Sequence, residues 1–316
     1  MVNLDEVKTA QHQISGLIHK TPILTSALLN ERTGNEIYLK AEHLQKTGSF
    51  KIRGAANAVK QAIDDGAQFI TAASSGNHGQ AVAYIADQLG VPTTIVVPED
   101  ANRAKVAAIE AYNGNIVYCG FTSADRIPKA QQLAEEQGGV YIPPYDHPLV
   151  IAGQGTIGLE VLDQVPDIDI IVVPVGGGGL ISGILTAVKE TNSAIRVVGV
   201  EPETANDTYL SLANKQITAI SGTTTIADGL RTSQPGQLTF PILQEFLDDL
   251  VLVTEDEIKE AFQFTLERTK QLIEPSSATG IAAVLSKKLK AEKNKIAVIL
   301  SGGNVDLKQL DRFLPE

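Results

Sequence analysis

Short apolar runs rich in β-branched residues recur along the chain, each closed by a Gly- or Pro-containing turn and followed by a longer stretch of helical spacing. Strands are predicted over residues 36–40, 69–72, 93–97, 116–118, 140–142, 168–173, 196–200, 250–253 and 296–300. Helices are predicted over residues 4–18, 52–64, 78–89, 103–112, 124–136, 151–165, 180–191, 255–269 and 279–289. Alternation of this kind means βαβ units and parallel sheets covered by helices. The run Ile168-Asp169-Ile170-Ile171-Val172-Val173 is apolar almost throughout, as a strand covered on both faces must be. The strands fall into two groups, one from Phe69 to Ile142 and one from Ile168 onward, joined by Pro143-Pro144-Tyr145-Asp146-His147-Pro148. Two layered α/β units are expected. The pattern leaves open which of them takes the residues before Phe69.

Composition narrows the function classes. A chain of 316 residues with 43% apolar and 20% charged residues can bury a sizeable core in two domains or one large one. Acidic residues outnumber basic ones 37 to 26, for a net charge of −11. That argues against a nucleic-acid partner or an anionic membrane, which need a basic footprint. One cysteine, Cys119, excludes an intrachain disulfide framework and a Cys-rich zinc site, and is expected as a buried thiol. Apolar runs are too short to span a bilayer, and Met1-Val2-Asn3-Leu4-Asp5-Glu6 has no signal-peptide character, so a cytoplasmic location is expected.

Four segments could carry chemistry. In Val173-Pro174-Val175-Gly176-Gly177-Gly178-Gly179-Leu180, four glycines follow a buried strand and precede an apolar helix. Backbone N–H groups free of a Cβ, at a helix N-terminus, make a phosphate cradle. The segment lacks the Gly-Lys-Ser/Thr ending of a P-loop and the full spacing of a dinucleotide fingerprint, which stays as an alternative. In Lys46-Thr47-Gly48-Ser49-Phe50-Lys51-Ile52, Lys51 sits at a helix start beside Phe50, where a partly desolvated amine can act as a nucleophile; a solvated surface lysine is the plainer reading. Ala73-Ser74-Ser75-Gly76-Asn77-His78-Gly79 and Leu300-Ser301-Gly302-Gly303-Asn304 each place small polar groups after a strand. They either cap the next helix or face a ligand at the carboxyl ends of the strands. A further segment, Glu201-Pro202-Glu203-Thr204-Ala205-Asn206-Asp207, is either a solvated acidic turn or a ring of oxygens for a hard cation.

In this order the segments resemble the serine/threonine dehydratase and serine racemase group of pyridoxal-phosphate (PLP) enzymes, of the tryptophan-synthase-β fold. Ile151-Ala152-Gly153-Gln154-Gly155-Thr156, Thr225-Ile226-Ala227-Asp228-Gly229 and Glu274-Pro275-Ser276-Ser277 extend the resemblance over essentially the whole chain. It implies fold type II: two open parallel-sheet domains with helices on both faces and PLP in the cleft between them. Residues 1–66 and 143–316 would form the large PLP-binding domain, and residues 67–142 the small domain closing on the substrate. Lys51 would hold the cofactor covalently, and Gly176, Gly177, Gly178 and Gly179 would bind its phosphate. Phe50 would pack on its ring, Asn77 would bond its phenolic oxygen, and Ser301 its ring nitrogen. Ser74, Ser75, Gly76 and Asn77 would grip the substrate carboxylate, with Lys51 and Ser75 as catalytic groups on opposite faces of the ring. Arg126 and Thr232, a surface arginine and a helix cap on the plainer reading, would lie near the distal end of the substrate. Glu201, the Ala205 carbonyl and Asp207 would hold Mg²⁺ or Ca²⁺.

The expected activity is a threonine/serine ammonia-lyase acting on a small β-hydroxy amino acid. Serine racemase with dehydratase side activity and 3-hydroxyaspartate dehydratase are the enzymatic alternatives. A non-catalytic nucleotide-binding protein using the glycine loop is the rival from another class. A homodimer is expected, with a nucleotide effector open. Only 15 residues follow Ser301, too few for an amino-acid-sensing domain.

Overall fold

The structure, a computed structural model, describes residues 1–315. In chain order the strands are β1 (Ile23–Thr25), β2 (Glu36–Lys40), β3 (Ile70–Ala73), β4 (Thr93–Val97), β5 (Asn115–Tyr118), β6 (Val140–Tyr141), β7 (Ile170–Pro174), β8 (Arg196–Pro202), β9 (Asp249–Val253) and β10 (Lys295–Ile299). The helices are α1 (Leu4–Ile14), α2 (Ala27–Thr33), α3 (Lys51–Asp64), α4 (Asn77–Gln88), α5 (Arg103–Glu110), α6 (Ser123–Glu136), α7 (Pro148–Gln164), α8 (Gly179–Thr191), α9 (Asp207–Asn214), α10 (Thr239–Phe246), α11 (Glu255–Phe264) and α12 (Pro275–Leu285). Among the described residues the strands make a six-stranded sheet, ordered β1-β2-β10-β7-β8-β9, and a four-stranded sheet, ordered β5-β4-β3-β6.

Both sheets are parallel except at one edge, where β1 runs antiparallel to β2. Strand register puts Val298 beside Leu39 on one side and Val172 on the other, all buried, in the middle of the large sheet. One core lies between this sheet and α1, α7, α8 and α10, and a second lies on the opposite face under α2, α11 and α12. A third fills the small sheet's face beneath α3, α4 and α5, with Ile70, Ala72, Ile95 and Val97 from the strands. No helix among the described residues is long and apolar enough to cross a membrane.

Helix α3 bridges the two units, packing on α7 of the large one and on α4 of the small one. Its first turn is anchored by a buried ionic quartet. The Arg53 guanidinium donates to Glu42 (2.7 and 2.8 Å) and Glu160 (2.7 and 2.8 Å), and Lys40 donates to Glu160 at 2.5 Å. Two positive and two negative groups balance, which is the condition for burying them; removing any one would leave an unpaired buried charge at a cost of about 3–5 kcal/mol.

Several boundaries differ from the sequence expectation for local reasons. Helix α11 gives way at Thr265–Thr269 to a π-helical turn. Helix α12 starts at Pro275 rather than residue 279, since a proline at the first helical position has no N–H to leave unsatisfied. Cys119 is half-buried beside Asp125 rather than sealed in a core.

Candidate active site

A cavity of about 880 Å³ opens between the two sheets. Its lining follows the carboxyl ends of β3, β5, β6, β7 and β10: Ser75, Ser123, Pro144, Gly177 and Ser301 stand for the five turns. Open parallel sheets place ligands there, because successive strands diverge into loops whose backbone groups are free to bind.

The segment before Lys51 is stitched to the turn after β10. Ser49 pairs with Gly302, Phe50 N–H donates to Ser301 O at 2.9 Å, and Gly303 N–H donates to Gly48 O at 2.8 Å. Lys51 therefore begins α3 at the cavity floor, next to Ser301. Its amine donates to the Pro144 carbonyl at 2.7 Å and lies 5.3 Å from the Phe50 ring centroid. Loss of water around the amine lowers its pKa to about 8, against the opposing pull of Glu274. An amine poised near neutrality can be both nucleophile and base.

The glycine loop leads straight into α8. Gly178 has φ of 92°, a left-handed conformation that a side chain would strain, and a Cβ there would meet Thr239 Oγ1 at 2.7 Å. A Cβ on Gly177 would lie 2.5 Å from the Tyr145 ring. The loop is held from outside as well: Thr239 Oγ1 donates to Gly177 O at 2.8 Å, and Gly236 N–H donates to it at 3.2 Å. Asp146 accepts the Gln237 and Leu238 N–H groups at 2.9 and 2.8 Å, fixing that turn. A glycine cradle at the N-terminus of a 13-residue helix, with a depressed-pKa lysine across the cavity, fits an aldehyde-bearing phosphate ester.

Asn77 opens α4, with its Nδ2 donating to Glu274 Oε1 and Oε2 (2.9 and 3.1 Å) and its Oδ1 accepting from Asn304 Nδ2 (2.8 Å). Next to it, His78 donates Nε2–H to Ile142 O at 2.8 Å; burial, with Lys51 nearby, lowers its pKa to about 3 and keeps the ring neutral. Ser301 Oγ lies 3.1 Å from Ser277 Oγ. All four glycines, Phe50, Lys51, Asn77 and Ser301 thus line one cavity, with Ser74, Ser75 and Gly76 facing them from the small unit.

Residues 14–302 match the family described as pyridoxal-phosphate dependent enzymes. The chain belongs to this family. It is 41% identical to the L-threonine ammonia-lyase of Thermotoga maritima over 315 residues, covering 99% of this chain and 78% of that protein. It is 44% identical to the L-threo-3-hydroxyaspartate ammonia-lyase of Saccharomyces cerevisiae over 305 residues, covering 96% and 94%. The solved structure of maize serine racemase superposes with a TM-score of 0.95 at 39% identity, covering 98% of this chain and 96% of that one. The protein is a PLP-dependent enzyme of the dehydratase and racemase group, with lyase chemistry, in a fold type II frame.

Arg126 and Thr232 also line the cavity. Arg126 donates to Phe121 O at 3.1 Å and Ser123 Oγ at 3.3 Å, and among the described residues its buried Nε finds no partner. Thr232 is not a helix cap. Its hydroxyl bonds both Asp207 oxygens at 3.3 Å, joining the cavity to the acidic segment. There Glu201 accepts the Thr208 and Tyr209 N–H groups at 3.0 and 2.9 Å. Glu201, Ala205 and Asp207 are all fully buried. Burial raises both carboxyls above their usual range, with Asp207 pushing Glu201 further. An oxygen-only donor set of two carboxyls and a carbonyl is of the kind a hard divalent cation takes.

Sequence reasoning named neither Tyr145 nor Glu274 as a site residue. Each lines the cavity. Glu274 stood within a motif quoted for the resemblance, but its contact with Asn77 spans 197 residues and leaves no local signal.

Proposed function

We propose that the protein is a threonine/serine ammonia-lyase converting L-threonine and L-serine to 2-oxobutanoate and pyruvate with release of ammonia. The observation that carries this is the Lys51 amine, bonded to the Pro144 carbonyl in the same cavity that the glycine loop lines. When bound, PLP supplies the electron sink that makes the substrate Cα–H acidic. Lys51 would hold the cofactor and take the Cα proton. Gly176 to Gly179 would bind its phosphate through backbone N–H groups, Phe50 would pack against its ring, and Asn77 would bond its phenolic oxygen. Ser301 would offer the ring nitrogen a hydroxyl rather than a carboxylate, a weaker electron sink that suits elimination of a β-hydroxyl. Ser74, Ser75, Gly76 and Asn77 grip the substrate carboxylate, and Thr232 borders the distal end.

A second activity rests on Ser75, which lies on a segment separate from Lys51. A proton donor on the other face of the ring would let the enzyme racemise serine, as the maize relative's name indicates for that protein. The place of Arg126 in the cavity lining supports a third substrate, one with a second carboxylate such as threo-3-hydroxyaspartate. Glu201, the Ala205 carbonyl and Asp207 bind Mg²⁺ or Ca²⁺, and Thr232 ties that site to the cavity. A cytoplasmic homodimer is the working form, with a large domain of residues 1–66 and 143–316 and a small one of residues 67–142.

The test is to incubate the purified holoenzyme with L-threonine, L-serine, D-serine and threo-3-hydroxyaspartate, measuring keto acid and enantiomer composition together. Keto acid from L-threonine and L-serine is expected. Its absence, with racemisation alone, would overturn the lyase reading.

A further inference from the structure

We propose that Glu274 is a positioning residue for the cofactor site, aiming the Asn77 amide into the cavity. The inference rests on the reading that Asn77 meets the cofactor. Glu274 is the N-cap residue of α12, and its side chain makes no capping bond to the helix. Instead its buried carboxylate faces the cavity and takes the Asn77 Nδ2 on both oxygens, at 2.9 and 3.1 Å.

The other end of Asn77 is fixed too. Its Oδ1 accepts from Asn304 Nδ2 at 2.8 Å, and the same Asn304 nitrogen donates to Thr47 O at 2.8 Å. Asn304 is itself held close: a Cβ on Gly48 would lie 2.4 Å from its Oδ1. The relay runs from Thr47 through Asn304 and Asn77 to Glu274. An amide with a donor against its oxygen and a carboxylate against its nitrogen has one satisfiable orientation. The two Nδ2 hydrogens diverge, so a single carboxylate takes one and leaves the other for the ligand side. Without Glu274 only the Asn304 bond to Oδ1 would hold the amide in this orientation.

This device spans the two units, since Glu274 and Asn304 belong to the large one and Asn77 begins α4 on the small one. The charged groups that face Glu274 are Lys51 on α3, Asp228 in the turn before α10, and Lys105 on α5, which is paired with Asp228. Burial, with Asp228 nearby, raises the Glu274 pKa to about 7, and the Asn77 bond pulls against that shift by favouring the ionised form, which makes the stronger, charge-assisted bond.

A double-mutant cycle on holoenzyme tests the proposal. PLP dissociation constants are measured for wild type, Glu274→Gln, Asn77→Ala and the double variant, together with the visible absorption of the bound cofactor. Each single change should weaken PLP about tenfold, the worth of a hydrogen bond to a charged group. The double variant should be no weaker than the worse single, because the two act through one interaction. The absorption band should change in the same direction in both singles. Asn304→Ala, which leaves Glu274 and its burial untouched, should reproduce the weakening even if Glu274→Gln folds poorly. Wild-type affinity in a folded Glu274→Gln, or singles whose effects multiply in the double, would overturn the proposal while leaving Asn77 as a cofactor contact. An Asn77→Ala protein with unchanged affinity would overturn both.

Discussion

The two walls of the cavity are built differently. On the wall carried by the six-stranded sheet, almost every functional group is already committed: Lys51 to Pro144, Gly177 to Thr239 and Gly236, Ser301 to Ser277, and Glu274 to Asn77. The wall carried by the four-stranded sheet holds Ser75 half-buried, beside Ser74, whose hydroxyl accepts the Gly76 N–H, and Arg126, which among the described residues is bonded only to its own loop at Phe121 and Ser123. A site that must hold one cofactor through every turnover gains from groups fixed in advance, because no reorganisation is then needed. A site that must admit and release substrates gains from groups whose bonding capacity is still free. On the roles proposed above, the first wall carries most of the cofactor contacts, and the second carries Asn77, Ser75 and Arg126, which face cofactor and substrate from the other side.

The strongest way to break this division is at Lys51. Lys51→Ala should lose borohydride-trappable cofactor, and keto-acid formation should fall by about 10²–10⁴ or more. In the cofactor-free wild type, covalent uptake of PLP should rise with pH around a midpoint near 8, where the buried amine loses its proton, rather than near 10.5. A retained protein–cofactor bond in the alanine variant would remove Lys51 from its role.

Next in size is Ser75→Ala, on the other wall. Interconversion of L- and D-serine and elimination from D-serine should vanish, while part of the elimination from L-threonine survives. Equal loss of both would mean a shared role in binding or folding. Arg126→Ala sharpens the comparison further. The catalytic efficiency on threo-3-hydroxyaspartate should drop about tenfold relative to L-serine, with the cofactor's absorption unchanged. A parallel fall for both substrates would show that Arg126 does not read the second carboxylate.

The smallest effect concerns the acidic segment behind the first wall. Adding Mg²⁺ or Ca²⁺ to protein stripped of metal should raise its melting temperature by several degrees, since a ligand at about 100 times its Kd adds about 2.7 kcal/mol. Glu201→Gln combined with Asp207→Asn should abolish the rise. No change in wild type on chelation and metal return would remove the cation site.

The regular parts of the molecule were the legible ones. Residues 93–97 and 196–200 announce their strands because β-branched side chains fill both faces of a covered sheet. The glycine loop was legible because four adjacent glycines serve no core. Strand β1 was missed: three residues on an antiparallel edge carry too little pattern. Helices α2, α9 and α10 were missed as segments of seven or eight residues whose burial is set by tertiary neighbours. The Asn77–Glu274 and Thr232–Asp207 contacts lay beyond sequence reading, because they join residues 197 and 25 positions apart through the fold alone.

One topological fact bears on how the chain is made. Strand β10, the last of the ten, lies in the interior of the large sheet, bonded to β2 on one side and β7 on the other. During synthesis the small sheet, contained within residues 70–141, can close as soon as its strands emerge. The large sheet must wait as two fragments, β1-β2 and β7-β8-β9, each with an exposed edge able to pair with a foreign strand. Ser301 and the turn that steadies Lys51 arrive with β10, so the nascent polypeptide stays inert and vulnerable until that strand has left the ribosome.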